Sequence, residues 1–583
     1  MSNALSPIET HQAFVDAARP LLATLYPERY EAVLSRLVSR LSDWQQRLAE
    51  PEAWGQARLQ TEVTEKDVML ITYGDTLIND GEPTLKTLER FLKEYVGDLI
   101  PNVHLLPCFS YSSDDGFSVI DYLQINPVLG GWKEVHELAS HHGLMLDAVV
   151  NHISRWSRWF EGYLAGEAPY SRYFIEADPG ADYSQVTRPR TLPLLHQVET
   201  SKGPRHVWTT FSADQVDLNF AEPDLLLEVM DVLLSYVDHG SRFIRLDAVG
   251  FVWKQLGTSC MHLPGTHAIV KLIRLVLNTI APGAKIIPET NVPHKENISY
   301  FGEGDDEADL VYQFTLPPLV LHSFVTGRST ALHHWLESLE PCPGSSMFFN
   351  FLASHDGIGM RATEGLLDDE DRRRLMQQCL DNGGRIGYKS NPDGTQAPYE
   401  LNISYIDALS PPTAKVPDRI NRMLAAHFIL LSLQGLPAIY IHSLLGSGSD
   451  FHGMHASGVN RRVNRGKVDW RDVKRVLDDE ETENAQQFRR LLGLISIRRR
   501  EAAFHPSAAQ RVLNLDERLF ALERECKVTG SRLWCLANLS EEEVSIELPE
   551  MAEELIQARN LSEITLGPNQ YSWLRWSEPV TAE

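Results

Sequence analysis

The chain holds 583 residues, with 54 lysines and arginines against 79 aspartates and glutamates and a formal charge of −25. Such a length buries a large core in roughly two to four domains, and the acidity argues against nucleic acid or an anionic membrane as a partner. Six cysteines, at 108, 260, 342, 379, 526 and 535, show neither a CxxC nor a Cys/His metal spacing, so they read as buried hydrophobes or free thiols in a reducing compartment.

The first residues, Met1 to Pro7, lack a basic segment followed by an apolar run, and no apolar stretch of about 18 residues occurs anywhere. A cytoplasmic chain is expected. From about residue 8 to 64, Leu34, Leu37, Leu41, Trp44 and Leu48 recur at three- and four-residue steps among charges. This predicts a helical extension, residues 1–65, packed on the main body or on a second subunit, which leaves room for a homodimer. Residues 67–73, a helical pattern over 84–95, and residues 103–107 then give strand, helix, strand with short links, the mark of parallel α/β construction. Turn-formers around an aromatic follow in Ser112-Ser113-Asp114-Asp115-Gly116-Phe117. After an apolar strand over 144–150, residues 153–221 break the strand and helix rhythm and carry Arg188-Pro189-Arg190 and the run 207–219. Helices are predicted at 225–237 and 267–278, the sixth strand at 309–314 and the eighth at 438–442. Residues 382–394 are glycine-rich and predict a mobile loop. From 507 to 583 short alternating runs, such as 532–538 and 570–576, predict a small β-domain.

Four apolar strands end in charge. In Phe243-Ile244-Arg245-Leu246-Asp247-Ala248 the arginine and aspartate share one side of a strand, which by itself fits a partly buried ion pair. Asp147 with His152, Glu289, and His355 with Asp356 close the other three. In that order and spacing the four resemble the signature regions of the α-amylase superfamily, and Arg190 with residues 207–219 resembles its sucrose phosphorylase-like members. The resemblance implies an α/β fold: a (β/α)8 TIM barrel (66–152 and 222–506), with a small domain, 153–221, inserted after strand 3, besides the helical extension and the β-domain. Chemistry sits at the C-terminal mouth of such a barrel.

The resemblance makes Asp247 the nucleophile, Glu289 the acid/base and Asp356 the third acid. It places His152 and His355 on the glucosyl unit with Asp114 and Phe117, and makes Asp147 a support. Retaining transfer needs two carboxyls about 5 to 5.5 Å apart. Arg245 is expected to keep Asp247 ionised and aimed, while Glu289 must hold a proton and so titrate above a free glutamate. A glucosyl ester can pass to water, sugar or phosphate, and only phosphate calls for cations beside the leaving group. Candidates are Arg190 with Arg188, Tyr388 or Lys389, and Arg461 with Arg462 and Arg465 close by; the resemblance puts phosphate on Arg190 and Arg461. Expected partners are a small-molecule α-glucoside and inorganic phosphate, with no metal or organic cofactor, nucleic acid or membrane. The extension, the Ser112 to Phe117 run and the stretch from Tyr388 through Asn391-Pro392-Asp393-Gly394 to Asn402 resemble glucosylglycerate phosphorylases more than sucrose phosphorylases. A glycerate carboxylate would suit a cation such as Arg385 or Lys389. Glucosylglycerol, sucrose and sucrose 6-phosphate stay open as donors, as does a hydrolase or transglycosidase that ignores phosphate.

Overall fold

The computed structural model describes residues 7–48, 62–304, 306–390 and 395–576. Eight parallel strands form one sheet: β1 (Met69–Thr72), β2 (Asn102–Leu105), β3 (Gly143–Ala148), β4 (Ser241–Leu246), β5 (Lys285–Pro288), β6 (Leu310–Tyr312), β7 (Met347–Phe351) and β8 (Leu436–Tyr440). Their order, β5-β4-β3-β2-β1-β8-β7-β6, is that of a barrel whose β5/β6 seam lacks a full ladder. Asp309 bridges the seam: its N–H donates to the Ile286 carbonyl at 3.1 Å, and its carboxylate accepts from the Ile286 N–H at 2.8 Å. The strands are short apolar runs buried on both sides, as a helix-covered parallel sheet requires.

The two ends of the barrel differ. At the N-terminal end Arg242 donates to Asp67 and Asn102 at 3.0 Å each, and Asn102 donates to Asp67 at 2.9 Å. Arg242 and Asp67 neutralise each other there, so this cluster is structural. β3 starts at Gly143 because a Cβ would lie 2.4 Å from the Asn102 side-chain oxygen. The C-terminal end opens into a cavity.

The excursion after β3 is tied at its neck, where His152–Ser154 pairs antiparallel with Gln215–Asp217. Its body carries the hairpin of Leu195–Thr200 and Gly203–Trp208. The predicted extension forms α1 (Pro7–Leu25) and α2 (Tyr30–Leu48), and it docks on the barrel. Val33, Leu34, Leu37, Leu41 and Leu48 of α2 are buried. Arg36, Arg40 and Arg47, on the flanking face, pair with Asp224, Asp231 and Asp238 of the barrel helix Pro223–Asp238. A six-stranded antiparallel sheet closes the chain, beginning with Ala509–Val512. Among the described residues no helix is long and apolar enough to cross a membrane.

Residues 382–394 differ from expectation. Arg385–Ser390 pairs antiparallel with Gln396–Asn402, and Ile358–Gly359 adds a third strand. The glycines serve close approach: a Cβ at Gly384 would sit 2.5 Å from the Cys379 sulfur, and one at Gly387 2.9 Å from Glu400 Cγ. Asn391 to Gly394, the tip, lie outside the described residues.

Candidate active site

β4 delivers Arg245 and, one residue past the strand, Asp247. The guanidinium is wholly buried between two carboxylates: it pairs with Asp147 at the end of β3 and donates to Asp247 Oδ1 at 2.8 Å. Asp147 also meets His104 of β2 at 2.7 Å, so Asp147 and His104 anchor the arginine that aims Asp247. The chain then turns through Ala248 at φ 48°, a left-handed conformation unusual for a non-glycine. This turn lets the Ala248 N–H donate to Glu289 Oε2, 3.2 Å away, at the end of β5. The residue after Asp247 thus hydrogen-bonds the Glu289 carboxyl.

Burial is the largest influence on both. It pushes Glu289 up to about 7, with Asp247 and Asp356 adding to the rise and Arg245 opposing it. It also lifts Asp247 to about 6, against Arg245. Arg245 therefore limits the effect of burial on Asp247 rather than cancelling it, a weaker hold than the sequence suggested. Burial and the two neighbouring carboxylates favour the protonated form of Glu289, the state an acid needs at the start of the cycle. Asp356 behaves differently. Burial would raise it, yet Arg461 at 2.6 Å, His355 and Arg465 hold it well below the usual carboxylate range.

Around these acids the cavity is lined by Asp114, Phe117, His152, Arg190, His355 and Arg461. Phe117 stacks on His355, centroids 4.8 Å apart and planes 13° from parallel. His152 reaches the Phe117 carbonyl at 2.9 Å. Burial lowers the pKa of His152 and takes His355 down to about 3, so both present neutral imidazoles. Asp114, itself at φ 52°, accepts from Arg465 at 3.2 Å. The result is a pocket with neutral hydrogen-bonding imidazoles, aromatic walls and four acids, suited to a polyhydroxylated ring.

The arginines sort into engaged and free. Arg461 donates twice to Glu400, both at 2.8 Å, besides its pair with Asp356. Arg465 serves Asp114 and Asp115, and Arg462 meets Asp115 at 2.7 Å. Arg190 lines the cavity over the rings of Phe211 and Tyr399 and, among the described residues, has no carboxylate within ion-pair distance. Arg188 turns to the Leu192 carbonyl. Tyr388 and Lys389 do not line the cavity: Tyr388 is 48% exposed, and Lys389 sits 3.6 Å from Glu364. Arg385 donates to the carbonyls of Gly383 and Gly384.

Residues without a predicted role also line the site. Gln215 donates to the Phe117 carbonyl at 3.1 Å, and Tyr399, Asn291 and Arg361 form part of the wall. Gln215 follows from the paired neck of the insertion, and Tyr399 from the strand pairing that replaces the expected loop. Arg361 lies five residues past Asp356, in the turn Arg361–Thr363, and its sequence context carries no motif. Among the described residues no His, Cys, Asp and Glu cluster could hold a metal.

Residues 92–365 match the model of the α-amylase catalytic domain. The chain is 46% identical over 537 residues to the glucosylglycerate phosphorylase of Spirochaeta thermophila, covering 92% of this chain and 91% of that one. Against the glucosylglycerate phosphorylase of Escherichia coli it is 42% identical, covering 93% and 96%. Among solved structures, sucrose 6F-phosphate phosphorylase from Thermoanaerobacter thermosaccharolyticum superposes with a TM-score of 0.73 at 24% identity, over 87% of this chain and all of that one.

Proposed function

The chain belongs to the α-amylase family, among its glucosylglycerate phosphorylases, and from that membership we propose that it splits 2-O-α-glucosylglycerate with inorganic phosphate. The products are α-glucose 1-phosphate and glycerate. One observation carries the reading: Asp247 and a proton-holding Glu289 share a cavity with Arg190, a guanidinium that has no carboxylate partner among the described residues.

In the first half-reaction the Asp247 carboxylate attacks the anomeric carbon, the bond to the glycerate oxygen breaks, and Glu289 gives its proton to that oxygen. Arg245 steadies Asp247 throughout. Asp356, kept ionised by Arg461 and Arg465, holds sugar hydroxyls alongside His152 and His355. In the second half-reaction a phosphate oxygen attacks the same carbon from the vacated side, the ester to Asp247 breaks, and the proton released by phosphate returns to Glu289. Two inversions give retention. Arg190 supplies positive charge for the phosphate. Arg461 already spends its fork on Glu400, so it acts by fixing Asp356 and the strand carrying Tyr399. The six cysteines are all free, which fits a reducing compartment.

The test is product analysis by proton NMR of glucosylglycerate incubated with and without phosphate. The reading requires α-glucose 1-phosphate in the first tube and no comparable turnover in the second. Equal release of free glucose in both tubes would overturn it in favour of hydrolysis.

A further inference from the structure

A second arginine in the cavity is free. Arg361 lines the wall shared with Glu289, Thr290 and Asn291, yet among the described residues no carboxylate pairs with it, and its Nε is buried without a hydrogen-bond partner. Two further cations stand near it. Lys389 is lowered in pKa by burial and then by Arg361 and Arg372, and Arg372 also has a buried, unpartnered Nε. Glu364, at 3.6 Å from Lys389, is the one carboxylate within ion-pair distance of any of the three among the described residues. In a chain with a formal charge of −25, this local surplus of positive charge around Arg361 favours an anion at the cavity wall.

The same wall offers an unpaired acceptor. Asn291 Oδ1 is buried with no partner among the described residues. The strand Ile358–Gly359 packs against that amide so closely that a Cβ on Gly359 would lie 3.1 Å from its oxygen. Asn291 is two residues past Glu289, Arg361 is two past Gly359, and both line the cavity with the group that protonates the leaving oxygen.

Resting on the phosphorylase reading above, we propose that Arg361 and Asn291 form the subsite for the glycerate leaving group, with the carboxylate on Arg361 and the terminal hydroxyl donating to Asn291. In 2-O-α-glucosylglycerate the carboxylate carbon is bonded to the carbon that bears the leaving oxygen. An oxygen held at Glu289 therefore brings the carboxylate to the adjoining wall. Arg190 stands over Phe211 and Tyr399 and is left to phosphate. Lys389 and Arg372 add to the positive potential around Arg361.

The experiment is the reverse reaction of the full chain: α-glucose 1-phosphate with glycerate, or with glycerol, in which an uncharged hydroxymethyl replaces the carboxylate, following phosphate release. Arg361→Gln is expected to lower kcat/KM for glycerate about 50-fold, mainly through KM, as loss of a charge-assisted hydrogen bond does. Glycerol use stays within about 2-fold because it makes no such bond. Since both belong to one half-reaction, kcat/KM for glucosylglycerate falls by the same factor, while that for phosphate does not. Arg361→Lys, which keeps the charge without the fork, recovers part of the loss. Fluoride release from α-glucosyl fluoride checks that Asp247 and the glucose pocket are intact in each variant. Asn291→Ala gives an independent reading: a loss of about 5-fold or more for glycerate, smaller than that of Arg361→Gln. Unchanged glycerate kinetics in both variants, an equal loss with glycerol, or an equal rise in the KM for phosphate would overturn the proposal. Wild type that releases no phosphate with glycerate would instead defeat the reading on which it rests.

Discussion

Glu289→Gln should separate chemistry from stability. Burial raises the Glu289 carboxyl from 4.5 to about 7, so the folded chain resists ionising it while the unfolded chain does not. A raised acid lowers stability as pH climbs: the effect is absent below the unfolded value and complete above the folded one. At 1.36 kcal/mol per pKa unit, the charged carboxylate costs about 3 kcal/mol at pH 8 and under about 1 kcal/mol at pH 5. Glutamine keeps the shape and can still accept from the Ala248 N–H without the charge. For a chain of 583 residues, that is an upward shift of about 2 to 3 °C in thermal midpoint at pH 8, shrinking toward zero at pH 5. Differential scanning calorimetry of the two proteins at both pH values measures it. The same variant should lose turnover of glucosylglycerate, whose leaving oxygen needs a proton, far more than fluoride release from α-glucosyl fluoride, whose leaving group does not. A variant no more stable at pH 8, or equally impaired on both substrates, would refute the assignment of Glu289 as a buried, proton-holding acid.

Asp247→Ala should cut turnover of every donor by about 10⁴-fold or more without loss of fold by circular dichroism; appreciable residual activity would mean another nucleophile. The pH profile of kcat/KM should be bell-shaped, falling below about 6 as Asp247 gains a proton and above about 7 as Glu289 loses its own. Arg190→Ala should raise the KM for phosphate about 10-fold or more with an unchanged thermal midpoint, because no ion pair is broken. Arg461→Ala should cost about 3 to 5 kcal/mol of stability, because it strands the buried Glu400. Leu37→Ala, at a position 1% exposed, should weaken docking of α2 by about 2 to 5 kcal/mol, seen as faster hydrogen exchange over residues 30–48.

Much of the site was legible because it lies on strands. Asp147 and Arg245 lie in apolar strands buried on both sides, Asp247 and Glu289 one residue past such strands and Asp356 five past, so their positions at the barrel mouth follow from period and polarity. The extension was equally clear, since Leu34, Leu37 and Leu41 keep helical spacing. What escaped is where tertiary pairing decides. Glycines at 384 and 387 suggested freedom, but they admit Cys379 and Glu400 at close range. The resulting strand pair brings Tyr399 to the cavity and leaves Tyr388 exposed. Likewise Glu400, sixty-one residues from Arg461, takes the fork that the sequence leaves open for phosphate. Whether an arginine is free depends on what the fold places opposite it, and spacing in sequence does not carry that.

The most direct measurement is the reverse reaction of the wild-type chain, α-glucose 1-phosphate with glycerate, glycerol, fructose and fructose 6-phosphate in separate tubes, following release of inorganic phosphate. The account predicts fast release with glycerate, slower release with the others and little without an acceptor. Release that is slow and equal in all tubes, including the one holding water alone, would contradict it.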